Sequence, residues 1–108
     1  MIQTLLLSVD EFITKSQNSP SQLFIINFKG SFCIPCKTIY PFIEYLSDEY
    51  KNVEFYAVDI NDEIGSLYAD KYNISKIPTF LFIHDGLVID TYIGTDKKKI
   101  EDLLNQNL

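Results

Sequence analysis

The hydrophobic positions of this chain change period several times, and each change marks a predicted element. Gln3 to Leu7 is a short apolar run that predicts a first strand, ended by Ser8-Val9-Asp10-Glu11, where Ser8 and Glu11 have the spacing of a capping box. A helix is expected from about Val9, with Val9, Phe12 and Ile13 inward, until Gln17-Asn18-Ser19-Pro20-Ser21 breaks it. Leu23-Phe24-Ile25-Ile26-Asn27-Phe28 is apolar almost without interruption, the pattern of a strand buried on both faces at the centre of a sheet. From about Cys33 to Tyr50 the period becomes helical, with Ile39, Phe42, Ile43 and Leu46 as the stripe and Pro41 predicting a kink.

Val53 to Ile60 reads as another buried strand, and Asn61-Asp62 as the cap of a helix over roughly Glu63 to Tyr72, with Asn73 suited to its end. Thr79 to Ile83 and Leu87 to Tyr92 are strands joined by His84-Asp85-Gly86, where Asp-Gly predicts a tight antiparallel hairpin. Gly94-Thr95-Asp96 opens a last helix with Ile100, Leu103 and Leu104 inward. The order, βαβαβ followed after Pro78 by ββα, predicts parallel strands joined by helices and then a hairpin added to the same sheet. The expected fold is therefore α/β, a central mixed sheet of about five strands flanked by about four helices. No repeat, linker or low-complexity segment interrupts it, so residues 1–108 are expected to form a single domain.

Both cysteines of the chain fall in Phe32-Cys33-Ile34-Pro35-Cys36-Lys37, between a strand and a helix. A cysteine opening a helix has unpaired backbone N–H groups and a favourable dipole beside its sulfur, which stabilise the thiolate. The second cysteine, one turn further on, is placed to attack a mixed disulfide formed by the first. A zinc site is not expected, because zinc takes about four ligands and the chain offers two cysteines and a single histidine, His84, far along the sequence in a predicted turn. His84 itself is expected to be an exposed turn residue. Lys29 and Lys37 flank the dithiol and would lower the pKa of Cys33, although exposed lysines act weakly through water. Lys97-Lys98-Lys99 at a helix start reads as a solvated face in preference to a docking patch for an acidic partner.

Composition narrows the partners. A net charge of -6 opposes binding to nucleic acid or to an anionic membrane surface. The aromatic residues read as core, since no basic groove accompanies them. Leu5-Leu6-Leu7, followed at once by Asp10 and Glu11, is too short for a signal-peptide core, and no apolar stretch reaches membrane-spanning length. Two closely spaced cysteines cannot staple distant parts of a secreted chain. A reducing, cytoplasmic location is the expectation, with an organelle as the alternative.

In element order and in separately placed motifs the chain resembles the thioredoxin family. The motifs are the apolar strand Leu23 to Phe28 leading to Cys33-Ile34-Pro35-Cys36-Lys37, Pro41 in the following helix, Ile77-Pro78-Thr79 before a strand, and Gly94 before the last helix. The resemblance implies a thioredoxin fold and a protein-disulfide reductase, with Cys33 as nucleophile and Cys36 as resolving cysteine. It also implies a cis bond before Pro78, and a loop at Ile77 that, with Gly94 beside it, meets an extended substrate segment by strand-like pairing. It implies a monomer with no bound cofactor, cycling through a Cys33–Cys36 disulfide. The resemblance further implies that electrons come from an external flavoenzyme of the thioredoxin-reductase type and that disulfide-containing proteins are the substrates.

Three positions depart from the family pattern. Phe32 stands where Trp is usual and lacks its indole donor. Ile34-Pro35 replaces the usual Gly-Pro, altering bulk where the thiolate is stabilised. Asn27 replaces a buried Asp that exchanges a proton with the resolving cysteine; an amide has no useful protonation equilibrium and cannot serve as a general base. The competing expectations are a thioredoxin-fold binding or scaffold module with an incidental dithiol, and a glutathione-dependent enzyme of the glutaredoxin type.

Overall fold

Seven consecutive residues, Leu23–Lys29, form the strand around which the sheet is assembled, and six of them are buried. The computed structural model describes residues 1–108. Its elements are β1 (Ile2–Thr4), α1 (Val9–Gln17), β2 (Leu23–Lys29), α2 (Ile34–Glu49), β3 (Val53–Asp59), α3 (Glu63–Lys71), β4 (Thr79–His84), β5 (Leu87–Ile93) and α4 (Lys97–Gln106). The strands lie in the order β1-β3-β2-β4-β5, so β2 is central, as its unbroken apolar run requires. It pairs parallel with β3 and antiparallel with β4. This is the mixed five-stranded sheet with four helices expected from the pattern.

Alternation along the strands divides the core in two. Leu23, Ile25, Val53, Phe55, Phe80 and Phe82 face α2 and α4, meeting Ile39, Ile43, Leu46, Ile100 and Leu104. Phe24, Ile26, Phe28, Tyr56, Val58, Leu81 and Ile83 face the other way and meet Phe12 of α1 and Tyr68 of α3. The period-2 register assigns each β2 side chain to one face, and Asn27 thus shares the α2 side with Leu23 and Ile25. No helix is long and apolar enough to cross a membrane.

Local chemistry sets the helix starts where the sequence places them. Ser8 and Glu11 form a reciprocal capping box, Asp62 caps α3 and Asp96 caps α4. Asp85 and Gly86 take positive φ of 51° and 74° in the hairpin, the backbone of a turn that follows the twist of its strands. Two expectations are revised. β1 ends at Thr4 instead of Leu7, because the chain must leave the sheet to reach the Ser8 cap; Leu5 still donates its N–H to Ala57 O at 3.1 Å and buries its side chain. His84 is half-buried, not exposed, and its Nε2–H donates to Asn107 O at 2.8 Å, tying the hairpin to the end of α4.

Candidate active site

The site is built at the end of β2, where the chain leaves the sheet and turns into α2. Cys33 is the N-cap of α2 with extended backbone, and its sulfur accepts the N–H of Cys36 at 3.2 Å. Pro35 lies in the first turn, where a missing N–H leaves no intrahelical bond unmade. Cys33 and Cys36 are joined as a disulfide with their Cα atoms 5.2 Å apart. Their exposure differs: Cys33 is half-buried, whereas Cys36 is only 3% exposed. Phe32 and Ile34 stand almost free of the protein at 95% and 75% exposure, and Lys37 and Pro41 are exposed on the same helix.

The second wall comes from the loop before β4. The Ile77–Pro78 bond is cis. A Cβ built on Gly30 would meet Ile77 Cδ1 at 2.8 Å and Cys33 Cβ at 3.9 Å, so this loop lies directly against the dithiol turn. Gly94, at φ 141°, donates its N–H to Pro78 O at 3.2 Å. Ile77, Pro78 and Gly94 are thereby brought together beside Cys33, although they are far from it in sequence. The backbone N–H and C=O of Ile77 have no partner within the chain, which leaves them open to another strand.

Behind the disulfide lies a cavity of about 310 Å³ lined by Lys29, Gly30, Ser31, Cys36, Lys37, Tyr40, Pro41 and Asp59. Asp59 accepts the Asn61 N–H at 2.8 Å and the Ser31 hydroxyl at 2.7 Å. These two bonds, helped by the charge of Lys29, hold its carboxyl below the usual range. Burial and then the nearby Glu44 push the Tyr40 phenol up. The Lys29 ammonium sits over the Tyr40 ring, 5.6 Å from its centre. Asn27 is 1% exposed, and neither its Oδ1 nor its Nδ2 has a hydrogen-bond partner. Sequence reasoning named Asn27 and Lys29 but missed Gly30, Ser31, Tyr40 and Asp59. No sequence signal points to them, because the parallel register that sets Lys29 opposite Asp59 is fixed only when the sheet assembles. His84 and the Lys97 to Lys99 run are on other elements, and no three His, Cys, Asp or Glu side chains are grouped as a metal set.

Comparison with known proteins bears on this geometry. The thioredoxin family profile matches residues 3–106. The chain belongs to the thioredoxin family. It is 32% identical to the thioredoxin of Callithrix jacchus over 99 residues, covering 92% of each. It is 37% identical to a TPR repeat-containing thioredoxin of Oryza sativa, over 86% of this chain and 29% of that protein. It spans a similarly small share, 24%, of the Arabidopsis thaliana protein of the same name. Among solved structures, Fasciola hepatica thioredoxin superposes with a TM-score of 0.88 at 27% identity, covering 98% of this chain and 99% of the other. The thioredoxin fold places Cys33-x-x-Cys36 and the cis Pro78 loop of this chain side by side.

Proposed function

We propose that this chain is a thiol–disulfide oxidoreductase that reduces disulfides in protein substrates through Cys33 and Cys36. The observation that carries the reading is the unequal exposure of two bonded cysteines, one half-buried and one at 3%, at the start of a helix beside the unpaired N–H and C=O of Ile77. In the reduced state the Cys33 thiolate attacks a substrate disulfide. One substrate sulfur leaves, and the other stays bonded to Cys33. Cys36 then loses its proton, attacks Cys33 Sγ, and displaces the second substrate sulfur as a thiolate, which takes up a proton from solvent. The pair ends oxidised and the substrate reduced, with two electrons transferred.

The open N–H and C=O of Ile77 support strand-like docking of an extended substrate segment, which is tolerant of side-chain identity. Phe32 and Ile34, free of intramolecular packing, supply apolar area at the rim. Regeneration is assigned to an external flavoenzyme of the thioredoxin-reductase type, without a cofactor bound to this chain. A cytoplasmic monomer is the form in which we expect it to act. Insulin reduction driven by dithiothreitol tests the reading: the parent chain is expected to precipitate the insulin B chain, and Cys33→Ser to lose this activity entirely. Equal activity of the two overturns the mechanism. An inactive parent chain supports a binding module on the same fold instead.

A further inference from the structure

Resolution by Cys36 requires a thiolate, and Asn27, the polar residue that β2 buries on its α2 side, cannot accept a proton. The other groups facing Cys36 across the cavity are therefore decisive. β2 contributes Lys29, the turn Ser31, α2 Lys37 and Tyr40, and β3 Asp59, while Glu44 acts on Tyr40 from the next turn of α2. Asp59 is a poor proton acceptor, because both of its oxygens are already engaged and its carboxyl is held low. Tyr40 is neutral at working pH. What remains is charge: two lysines against one aspartate on the lining.

The two lysines are not equivalent. Lys37 is exposed, and water screens it. Lys29 is half-buried at the end of β2 and opposite Asp59 in the register, with its ammonium held over the Tyr40 ring. No carboxylate neutralises it at ion-pair distance, since the ion pairs of the chain are Met1 with Asp48 and Lys98 with Asp102. A fixed cation at the edge of a small cavity favours the charged form of a thiol that opens into it.

We propose that Lys29 is a positioning residue for the resolving half-reaction, which holds a positive field in this cavity and so favours the Cys36 thiolate without a buried carboxylate base. The Cys36 proton passes to water in the cavity and out to solvent. The thiolate then attacks Cys33 Sγ, the Cys33–Cys36 bond forms, and the substrate sulfur leaves with the electron pair of the broken bond. Tyr40 fixes where the ammonium sits, and Asp59 limits the field. This inference rests on the dithiol reading above and assigns the electrostatics of its second step.

The test is stopped-flow reaction of the reduced chain with an aryl disulfide that releases a coloured thiol. The first release reports attack by Cys33, and the second reports resolution by Cys36. Lys29→Gln is expected to raise the pH midpoint of the second release by about half a unit or more, and to slow it about threefold at neutral pH. Lys29→Arg is expected to restore it, and Lys37→Gln to move it less than Lys29→Gln. Thermal unfolding checks that each variant is folded. An unchanged or lowered midpoint in folded Lys29→Gln, or a larger shift in Lys37→Gln, overturns the proposal. Should Lys29→Gln not fold, the parent midpoint measured against salt takes its place. Screening is expected to raise that midpoint, and a midpoint independent of salt overturns the proposal. If no second release occurs in the parent chain, the dithiol reading itself fails, a separate result from an unshifted midpoint.

Discussion

Asn27 differs by one group from the carboxylate that the family usually carries on this strand, and burial magnifies the difference. With both polar atoms unpartnered at 1% exposure, it costs the fold on the order of 1–3 kcal/mol in lost hydration. Asn27→Asp is expected to speed mixed-disulfide resolution at neutral pH in stopped-flow, by supplying a base. It is also expected to introduce a pH-dependent stability cost. Burial raises the folded pKa of the new carboxyl above its unfolded value of about 3.9. Its relative stability is therefore retained below about pH 4 and lost as pH rises through the folded value. Urea titrations of parent and variant at pH 4 and pH 8 should show the gap widening with pH; a constant gap would count against an ionising buried group. The burial of position 27 was legible in the chain, since it falls within an apolar run that reads as a strand buried on both faces. The half-burial of Lys29 was not, because it depends on Tyr40 and Asp59 arriving from two other elements.

Elements were legible where a local device defines them. Ser8 with Glu11, Asp62, Asp96 and Asp85-Gly86 each satisfy a backbone requirement within a few residues of themselves, so their signals survive in isolation. The shortening of β1 was illegible, because it results from competition between the sheet and the α1 cap. The seating of α3 was equally hidden. A Cβ on Gly65 would lie 1.7 Å from Asp59 O, a backbone atom, so any side chain there must push α3 away from the end of β3. Gly65→Ala is expected to destabilise by about 2–3 kcal/mol or more despite the better helix propensity of Ala. Urea unfolding measures this. Because Asp59 also faces the cavity of Cys36, the same variant is expected to change the rate of resolution more than that of attack.

For the whole molecule, the order of the runs identified an α/β sheet, and the four motifs of the resemblance placed the dithiol against the Pro78 loop. The cavity between β2, α2 and β3 had no sequence signature, since its lining is gathered by strand register from residues as far apart as Lys29 and Asp59. The second core layer has a pH limit of its own. Burial pushes the Tyr56 phenol up to about 12 and raises Tyr68 and Tyr72 as well. Tyr68 shares its hydroxyl proton between the Leu7 and Ser8 carbonyl oxygens at 2.9 and 3.0 Å. Groups with raised folded pKa stabilise fully below their unfolded value, about 10 for tyrosine, and lose that contribution as pH climbs through the folded one. Thermal midpoints are expected to hold up to about pH 9 and fall steeply above 10, and Tyr68→Phe should weaken the fall.

The unequal exposure of the two sulfurs also imposes an order on encounters. If the chain works as proposed, a protein delivering electrons and a protein receiving them both approach through the Cys33 sulfur and over the same rim of Phe32, Ile34 and Ile77, because Cys36 is only 3% exposed. The two cannot be seated at once. Turnover on that reading proceeds by substitution, one partner departing before the other arrives, and an excess of either obstructs its counterpart. Throughput in such a shuttle depends on the ratio of the two partners as much as on the chemistry at Cys33.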